Sequence, residues 1–252
     1  MFAIYRCLYG EDFIQQSINS IIDYVDKILI VWDNKVWGDV QGCNYKGQFI
    51  KYPDKFDNIL EKIKELQSNK IILHYDHVFS PFGQHEHIIK NILPIYGNPE
   101  ELMIIEVDQV FRKDQLEKAL NEFNSIDCSK LITKQIEIWK MNYRVPERIR
   151  PGVEFIKKDD KKPIYWSDTY VHNMGFSFSD KIMYWKHLTA LGFSSIIKDS
   201  LPNENWYEEK WLKWDFYTNN NDLEISKGCE KNIPYVIPYL KEELPESIKI
   251  SL

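Results

Sequence analysis

The chain has 252 residues and a formal net charge of −6, with 44% hydrophobic and 28% charged residues. That balance excludes a disordered chain, and the length allows one large domain or two small ones around a sizeable core. The acidic balance and the lack of any long basic run count against a nucleic-acid partner bound without sequence preference.

Phe2 to Leu8 (FAIYRCL) reads as a first strand. Tyr9-Gly10-Glu11-Asp12 turns the chain, and Asp12 can cap a helix to about Asp23, where Phe13, Ile14, Ile18, Ile21 and Ile22 recur at helical spacing. Val25 to Trp32 (VDKILIVW) is a second buried strand, and strand, helix, strand of this length implies a parallel right-handed crossover. Asp33 follows at the carboxyl end of the sheet, placed either to accept hydrogen bonds from a nucleotide base or ribose or simply to form a turn. Lys35 to Gly47 holds three of the ten glycines and reads as a loop. Asp54 to Leu66 reads as a helix, and Lys70 to His74 as a third strand.

Four of the six histidines lie between His74 and His87. Their spacing fits no standard metal motif, and HxH on a helix splays the two rings about 200° apart. A helix from Gly83 to about Leu93, stopped by Pro94, carries Gln84, His85, Glu86, His87, Lys90 and Asn91. Its polar start favours an anion, with His85 and Lys90 as phosphate contacts or else as solvated side chains.

The acidic stretch Leu102 to Phe111 (LMIIEVDQVF) comes next. Its apolar run does not alternate, as in a strand buried on both faces. Glu106 and Asp108 stand two apart where that strand emerges, so both carboxylates would project to one side of its carboxyl end. Paired hard oxygen ligands suit Mg²⁺ or Mn²⁺ bridging to phosphate, whereas the bland alternative is a solvated acidic loop. The order βαβαβαβ places this half in the α/β class.

Phe2 to Phe111 resembles the nucleotide-binding half of a GT-A fold glycosyltransferase, closest to the large family-2-like group. That group has a strand with an "NE" turn, a strand of the form "vDeIiVvDdgStDgt", a polar "RN" helix and an acidic "lDaDE" strand. The counterparts here are Arg6-Cys7-Leu8-Tyr9-Gly10-Glu11, then Val25 to Asp33, then Gln84-His85 with Asn91, then Ile105-Glu106-Val107-Asp108-Gln109. No Asn precedes Glu11, Glu106 stands where Asp is usual, and Gln109 stands where Glu often follows. Glutamate, one methylene longer, still chelates. The resemblance implies a mostly parallel central sheet flanked by helices, with a mixed C-terminal acceptor portion. Residues 1–125 would be the nucleotide-sugar-binding half and residues 126–252 the acceptor-binding half and tail of the same domain.

In the second half, Lys113 to Phe123 is an amphipathic helix and Lys130 to Met141 alternates like a half-exposed strand. Arg144 to Pro151, with three arginines and two prolines, reads as a loop near an anionic ligand or as a basic surface turn. Ile164 to His172 is another strand, and a helix from Asp180 to Leu191 follows, capped by Ser179 or Asp180. The resemblance makes His172 a further metal or diphosphate contact, with His187 second. The alternative for either is a structural histidine. Asn203 to Phe216 is dense in aromatics and acids; Tyr207, Trp211 and Trp214 share one helical face, which points to packing. Glu208 and Glu209 match in chain order the "ED" whose acid serves as catalytic base, with Asp168 as rival. Aromatic neighbours would raise such a carboxyl pKa. The tail from Asn232, with Pro234, Pro238 and Pro245, reads as an extended wrap.

The four cysteines (Cys7, Cys43, Cys128, Cys229) form no CxxC pair and read as reduced packing residues. No stretch approaches the roughly 18 to 20 apolar residues of a membrane span, and the N-terminus does not read as a signal peptide, so a cytoplasmic location is expected. The reaction implied by the resemblance is sugar transfer from a nucleotide-diphosphate sugar to an acceptor hydroxyl, assisted by Mn²⁺ or Mg²⁺. Donor contacts would come from Asp33, Gln84, His85, Lys90 and Arg144, and metal ligands from Glu106, Asp108 and His172. The rival class is a non-catalytic GT-A-like module binding a carbohydrate or protein through its aromatics. Nucleotidyl transfer ranks last, since only Gly10 stands where a glycine-rich phosphate loop belongs.

Overall fold

The computed structural model describes residues 1–77, 83–146, 150–158, 161–197, 203–223, 233 and 235–249. Arg148, Cys229, Asn232 and Pro234 lie outside the described residues. Elements in chain order begin β1 (Phe2–Cys7), α1 (Ile14–Ile21), β2 (Lys27–Trp32), β3 (Gly42–Tyr45), β4 (Gln48–Lys51), α2 (Ile59–Glu65) and β5 (Ile71–Tyr75). They continue α3 (Gln84–His87), α4 (Leu93–Tyr96), β6 (Glu101–Ile104), β7 (Gln109–Val110) and α5 (Lys113–Ser125). The second half contributes β8 (Lys130–Trp139), β9 (Tyr143–Arg144), β10 (Pro151–Lys157), β11 (Ile164–Phe176), α6 (Asp180–Ile197), β12 (Ile237–Pro238) and α7 (Glu246–Lys249).

One sheet runs through both halves. Its spatial order is β12-β9-β8-β10-β6-β1-β2-β5, and β11 joins through β8 and β7. β5, β2, β1 and β6 are mutually parallel, because each is reached by a helical crossover that returns the chain to the same edge. β10 enters antiparallel beside β6, and β8 antiparallel beside β10. The fold is therefore α/β: a parallel sheet with helices, extended by a mixed portion. Apolar residues cover both faces. Ala3, Tyr5, Ile28, Ile30 and Met103 pack with α1 and α5 on one side, and Ile4, Leu29, Val31 and Ile104 with Ile88, Ile92 and Leu93 on the other.

Four local features depart from expectation. Part of the Lys35 to Gly47 loop is the β3–β4 hairpin, turned at Lys46 (φ 50°) and Gly47 (φ 77°), the pair of positive angles that a two-residue hairpin turn requires. Asp12 does not cap α1; its carboxylate accepts from Ser179 N at 2.7 Å, while Gly10 O accepts from Phe13 N and Ile14 N. Pro94 does not stop its helix. A wide π turn over Ile88–Ile92 precedes it, so it falls in the first turn of α4, where its missing N–H costs nothing. β10 begins at Pro151, the last residue of the loop expected over Arg144 to Pro151, and Arg144 itself lies on β9.

Trp206 and Trp211, 2% exposed each, join Trp139, Phe176 and Met174 in a second apolar core. The aromatic density of the second half is thus mainly packing, each buried large side chain being worth about 1.5–3 kcal/mol. His172, fully buried on β11, shares a hydrogen bond of 2.9 Å with the Tyr239 hydroxyl. Burial pushes its pKa down to about 3.

An unfolded histidine takes its proton near pH 6.5, whereas the folded one waits until about pH 3. His172 therefore leaves stability intact above pH 6.5 and erodes it as pH falls from there toward 3. Between about pH 7.5 and about pH 5 this side chain should cost about 2 kcal/mol of unfolding free energy, measured by urea denaturation. His172→Gln should lose that part of the pH slope; a slope equal to the parent's contradicts neutral burial.

Candidate functional site

The site is built on a tight turn between β6 and β7. Ile105 is fully buried, and the chain then reverses, with Gln109 N donating to Glu106 O and Glu106 N donating to the Gln109 side chain, both at 3.0 Å. Glu106 and Asp108 thus stand on a turn at the strand end rather than on a continuing strand. Ser17 Oγ donates to Gln109 O at 2.6 Å and Met174 N to Asp108 O at 2.6 Å, fixing the turn from α1 and β11. Val107 presses on Gly10, where a Cβ would lie 2.7 Å from Val107 Cγ2 and φ is +144°. Only glycine fits there.

The two carboxylates live in different surroundings. Asp108, 13% exposed, accepts from Asn173 Nδ2 at 3.3 Å and lies 3.5 Å from Lys186 Nζ. Burial raises its pKa, against the pull of Lys186. Glu106, 44% exposed, lies 3.3 Å from His85 Nε2. Burial alone would raise it, but the hydrogen bond and charge of His85, with Arg6 behind, hold it below the usual carboxylate range.

The neighbouring strand ends add further groups. Arg6, at the end of β1, donates to Gln84 Oε1 and feels the charges of Glu106 and Asp33. Asp33, at the end of β2, pairs with His77 and accepts from Lys35 N at 2.9 Å; His77 Nε2 lies 3.1 Å from Asp39. Beside Asp33 opens a cavity of about 250 Å³, walled by Leu8, Trp32, Asn34, Phe56, Ile59 and Leu60. Asp57 also lines it, accepting from Gly10 N at 2.6 Å and Glu11 N at 2.9 Å. Burial raises the Asp57 pKa against those hydrogen bonds.

Of the residues singled out in the sequence, Gln84, His85, Glu106 and Asp108 come together, with Asp33 two strands along. Others lie elsewhere. Lys90 is exposed and paired with Glu86. Arg144 lies on the short β9, between β8 and β12. His172 is not brought to the carboxylates: alternate side chains leave a strand on opposite faces, so His172 enters the core and Asn173 reaches Asp108. His187 is buried and contacts the Glu204 carbonyl at 3.0 Å. Asp168 is 83% exposed and bonded to Lys134 at 2.6 Å. Glu209 is exposed. Glu208 pairs with Lys46 and accepts from the Tyr45 hydroxyl at 3.1 Å. The hydrogen bond from Lys46 lowers its pKa, the opposite of the upward shift expected from aromatic neighbours.

Arg6, His77, Asn173 and Lys186 were not singled out from sequence. Arg6 had a signal, its place just before the Gly10 turn, and Asn173 follows from His172 by strand parity. Lys186 had none. Among the described residues no group of three or more His, Cys, Asp and Glu side chains is arranged to hold a metal ion by itself. The protein offers two hard carboxylates, a donor set that fits Mg²⁺ or Mn²⁺ when phosphate and water complete the shell. Among the described residues no helix is long and apolar enough to cross a membrane.

No protein-family model matches the chain, and no curated protein matches it. Among solved structures it is similar to S. aureus TarS 1–349, at 12% identity and a TM-score of 0.43, over 77% of this chain and 65% of that one. It is also similar to the mannosyltransferase PcManGT from Pyrobaculum calidifontis, crystallised with GDP-Man and Mn²⁺, at 9% identity and a TM-score of 0.45, over 81% and 66%. A third is glucosyl-3-phosphoglycerate synthase from Mycobacterium tuberculosis, in complex with Mn²⁺, UDP and phosphoglyceric acid, at 10% identity and a TM-score of 0.36, over 53% and 42%. The chain thus spans less than two thirds of the length of these proteins.

Proposed function

We propose that this chain is a glycosyltransferase that moves a hexosyl or N-acetylhexosaminyl group from a nucleotide-diphosphate sugar to an acceptor hydroxyl. Residues 1–125 would bind the donor and residues 126–252 the acceptor. The observation that carries this reading is the gathering of Glu106, Asp108, Arg6, His85 and Lys186 at the carboxyl edge of a parallel sheet, where ligands of open α/β folds bind. Cations beside carboxylates suit a ligand whose own negative charge grows during reaction.

In that reaction the acceptor oxygen bonds to the anomeric carbon while the bond from that carbon to the diphosphate oxygen breaks. The leaving diphosphate keeps the electron pair. Arg6 and His85 would meet that charge, and Gln84 holds the Arg6 guanidinium in place. A divalent cation held by Glu106 and Asp108 would supply further positive charge there. Asp33 borders the cavity that would seat the nucleoside, as acceptor for a base or ribose hydrogen. For an inverting course we assign the base to Glu208 on its chain-order match to the family's acid; Lys46 and the Tyr45 hydroxyl, which hold its carboxylate here, would have to give way to the acceptor hydroxyl. Glu208, Glu209 and Asp168 share no described contact with the donor cluster, and Glu208 is set apart only by its pairing with Lys46 and Tyr45. A cytoplasmic location is part of the proposal and rests on the free, buried Cys7, Cys43 and Cys128. The non-catalytic reading is weaker, because Trp206 and Trp211 are core residues and not a sugar-stacking surface.

UDP or GDP with Mn²⁺ should raise the melting temperature, since a ligand at about 100 times its Kd adds about 2.7 kcal/mol to the native state. Asp108→Asn should stay folded and lose about 10²-fold or more in kcat. Parental turnover in that variant, or no thermal shift with any nucleoside diphosphate, contradicts the proposal.

Glu208→Gln should leave donor affinity unchanged and lower kcat steeply, while Glu209→Gln keeps kcat within about twofold. Equal kcat in parent and both variants removes Glu208 as base.

A further inference from the structure

Lys186 occupies a place that neither packing nor helix formation explains. Its ammonium donates to Gly175 O at 2.9 Å and lies 3.5 Å from Asp108 Oδ2, with the rings of Phe178 and Phe176 at 4.9 Å and 5.8 Å. A Cβ on Gly175 would stand 2.8 Å from Asp108 Oδ2 and 2.9 Å from Lys186 Nζ, so the glycine leaves the gap through which they meet. Asp108 is 13% exposed and Lys186 34% exposed. The carboxylate is thus buried against its neighbours, while the ammonium keeps one side toward solvent. A carboxylate this enclosed is costly to leave without a cation.

From this geometry we propose that Lys186 is a stored diphosphate ligand: it neutralises Asp108 in the free protein, gives Asp108 up to an incoming divalent cation, and then binds the donor diphosphate. The inference rests on the donor site proposed above. Its physical basis is that one buried carboxylate has two competing cations, one tethered and one free. At 3.5 Å the tethered pair is long for a charged hydrogen bond, and the shorter bond of the ammonium is the one to Gly175 O at 2.9 Å. The flexible stem of lysine and its three donors suit a group that changes partners, and the flanking phenyl faces keep the ammonium near the cleft after it leaves Asp108. The exchange keeps Asp108 paired with a cation throughout, adds one positive charge beside it, and frees the ammonium for the diphosphate only when the metal has arrived. Lys186 thereby couples the two ligands.

The test uses the full chain, with Mn²⁺ alone and UDP or GDP as probes, and the variants Lys186→Met and Lys186→Arg. Free Mn²⁺ is read by electron paramagnetic resonance and nucleotide binding by calorimetry. Lys186→Met should bind Mn²⁺ alone at least threefold more tightly than the parent, because its competitor is gone. The same variant should bind the nucleoside diphosphate with Mn²⁺ at least tenfold more weakly, and Lys186→Arg should restore most of that loss. Unchanged Mn²⁺ affinity, or unchanged nucleotide affinity, in Lys186→Met overturns the exchange while leaving the donor site standing. A parent that binds neither nucleotide in the presence of Mn²⁺ overturns the donor site itself and this inference with it.

Discussion

The close contact between Gly10 and Val107 sets the rest of the site. Because the β1–α1 turn has no side chain at Gly10, the β6–β7 turn packs directly upon it. Ser17 from α1 and Met174 from β11 then tie that turn by hydrogen bonds of 2.6 Å. Asp57 ties the other side of Gly10 through its backbone N–H. Glu106 and Asp108 are therefore carried on a turn that is packed on Gly10 and hydrogen-bonded to α1 and β11, between two halves of one sheet. Support of this kind is what a charged site needs if its groups are to meet a ligand without reorganising.

Charge is arranged around that turn in a graded way. Asp108, nearly enclosed, is answered by Lys186 and Asn173, while the more open Glu106 is answered by His85 and Arg6. The opposite directions of the two carboxyl pKa shifts follow from the partners: His85 and Arg6 outweigh burial at Glu106, whereas Lys186 does not outweigh burial and the Glu106 charge at Asp108. Asp33 and His77 repeat the motif of an acid with a base on the adjoining strand ends. The edge of the parallel sheet is thus lined with paired charges rather than with a field of one sign.

Much of this was legible in the sequence because it depends on short-range pattern. The unalternating runs of β1, β2 and β6 and the helices between them announce a parallel sheet, and two acids after a buried run announce the site. What stayed hidden depends on contacts between distant segments. Lys186 meets Asp108 across 78 residues, and Glu208 meets Lys46 across 162. The Lys46 contact reverses the pKa direction that the aromatic neighbours of Glu208 had implied. His172 was misplaced by one strand position: the segment does return to the cleft, but through Asn173. β10 was obscured by Pro151-Gly152, whose turn-like chemistry sits at the very start of the strand. The β3–β4 hairpin carried a readable signal in Lys46-Gly47, masked by the other glycines around it.

The central claim is that a nucleoside diphosphate and a divalent cation share the edge marked by Asp33, Glu106 and Asp108. A crystal structure of the chain with UDP or GDP and Mn²⁺, recorded at the manganese absorption edge, tests it most directly. The account predicts one anomalous peak bonded to Glu106 and Asp108, with the diphosphate against it and the nucleoside in the cavity beside Asp33. A diphosphate bound away from that edge, or an anomalous peak on other residues, would contradict it.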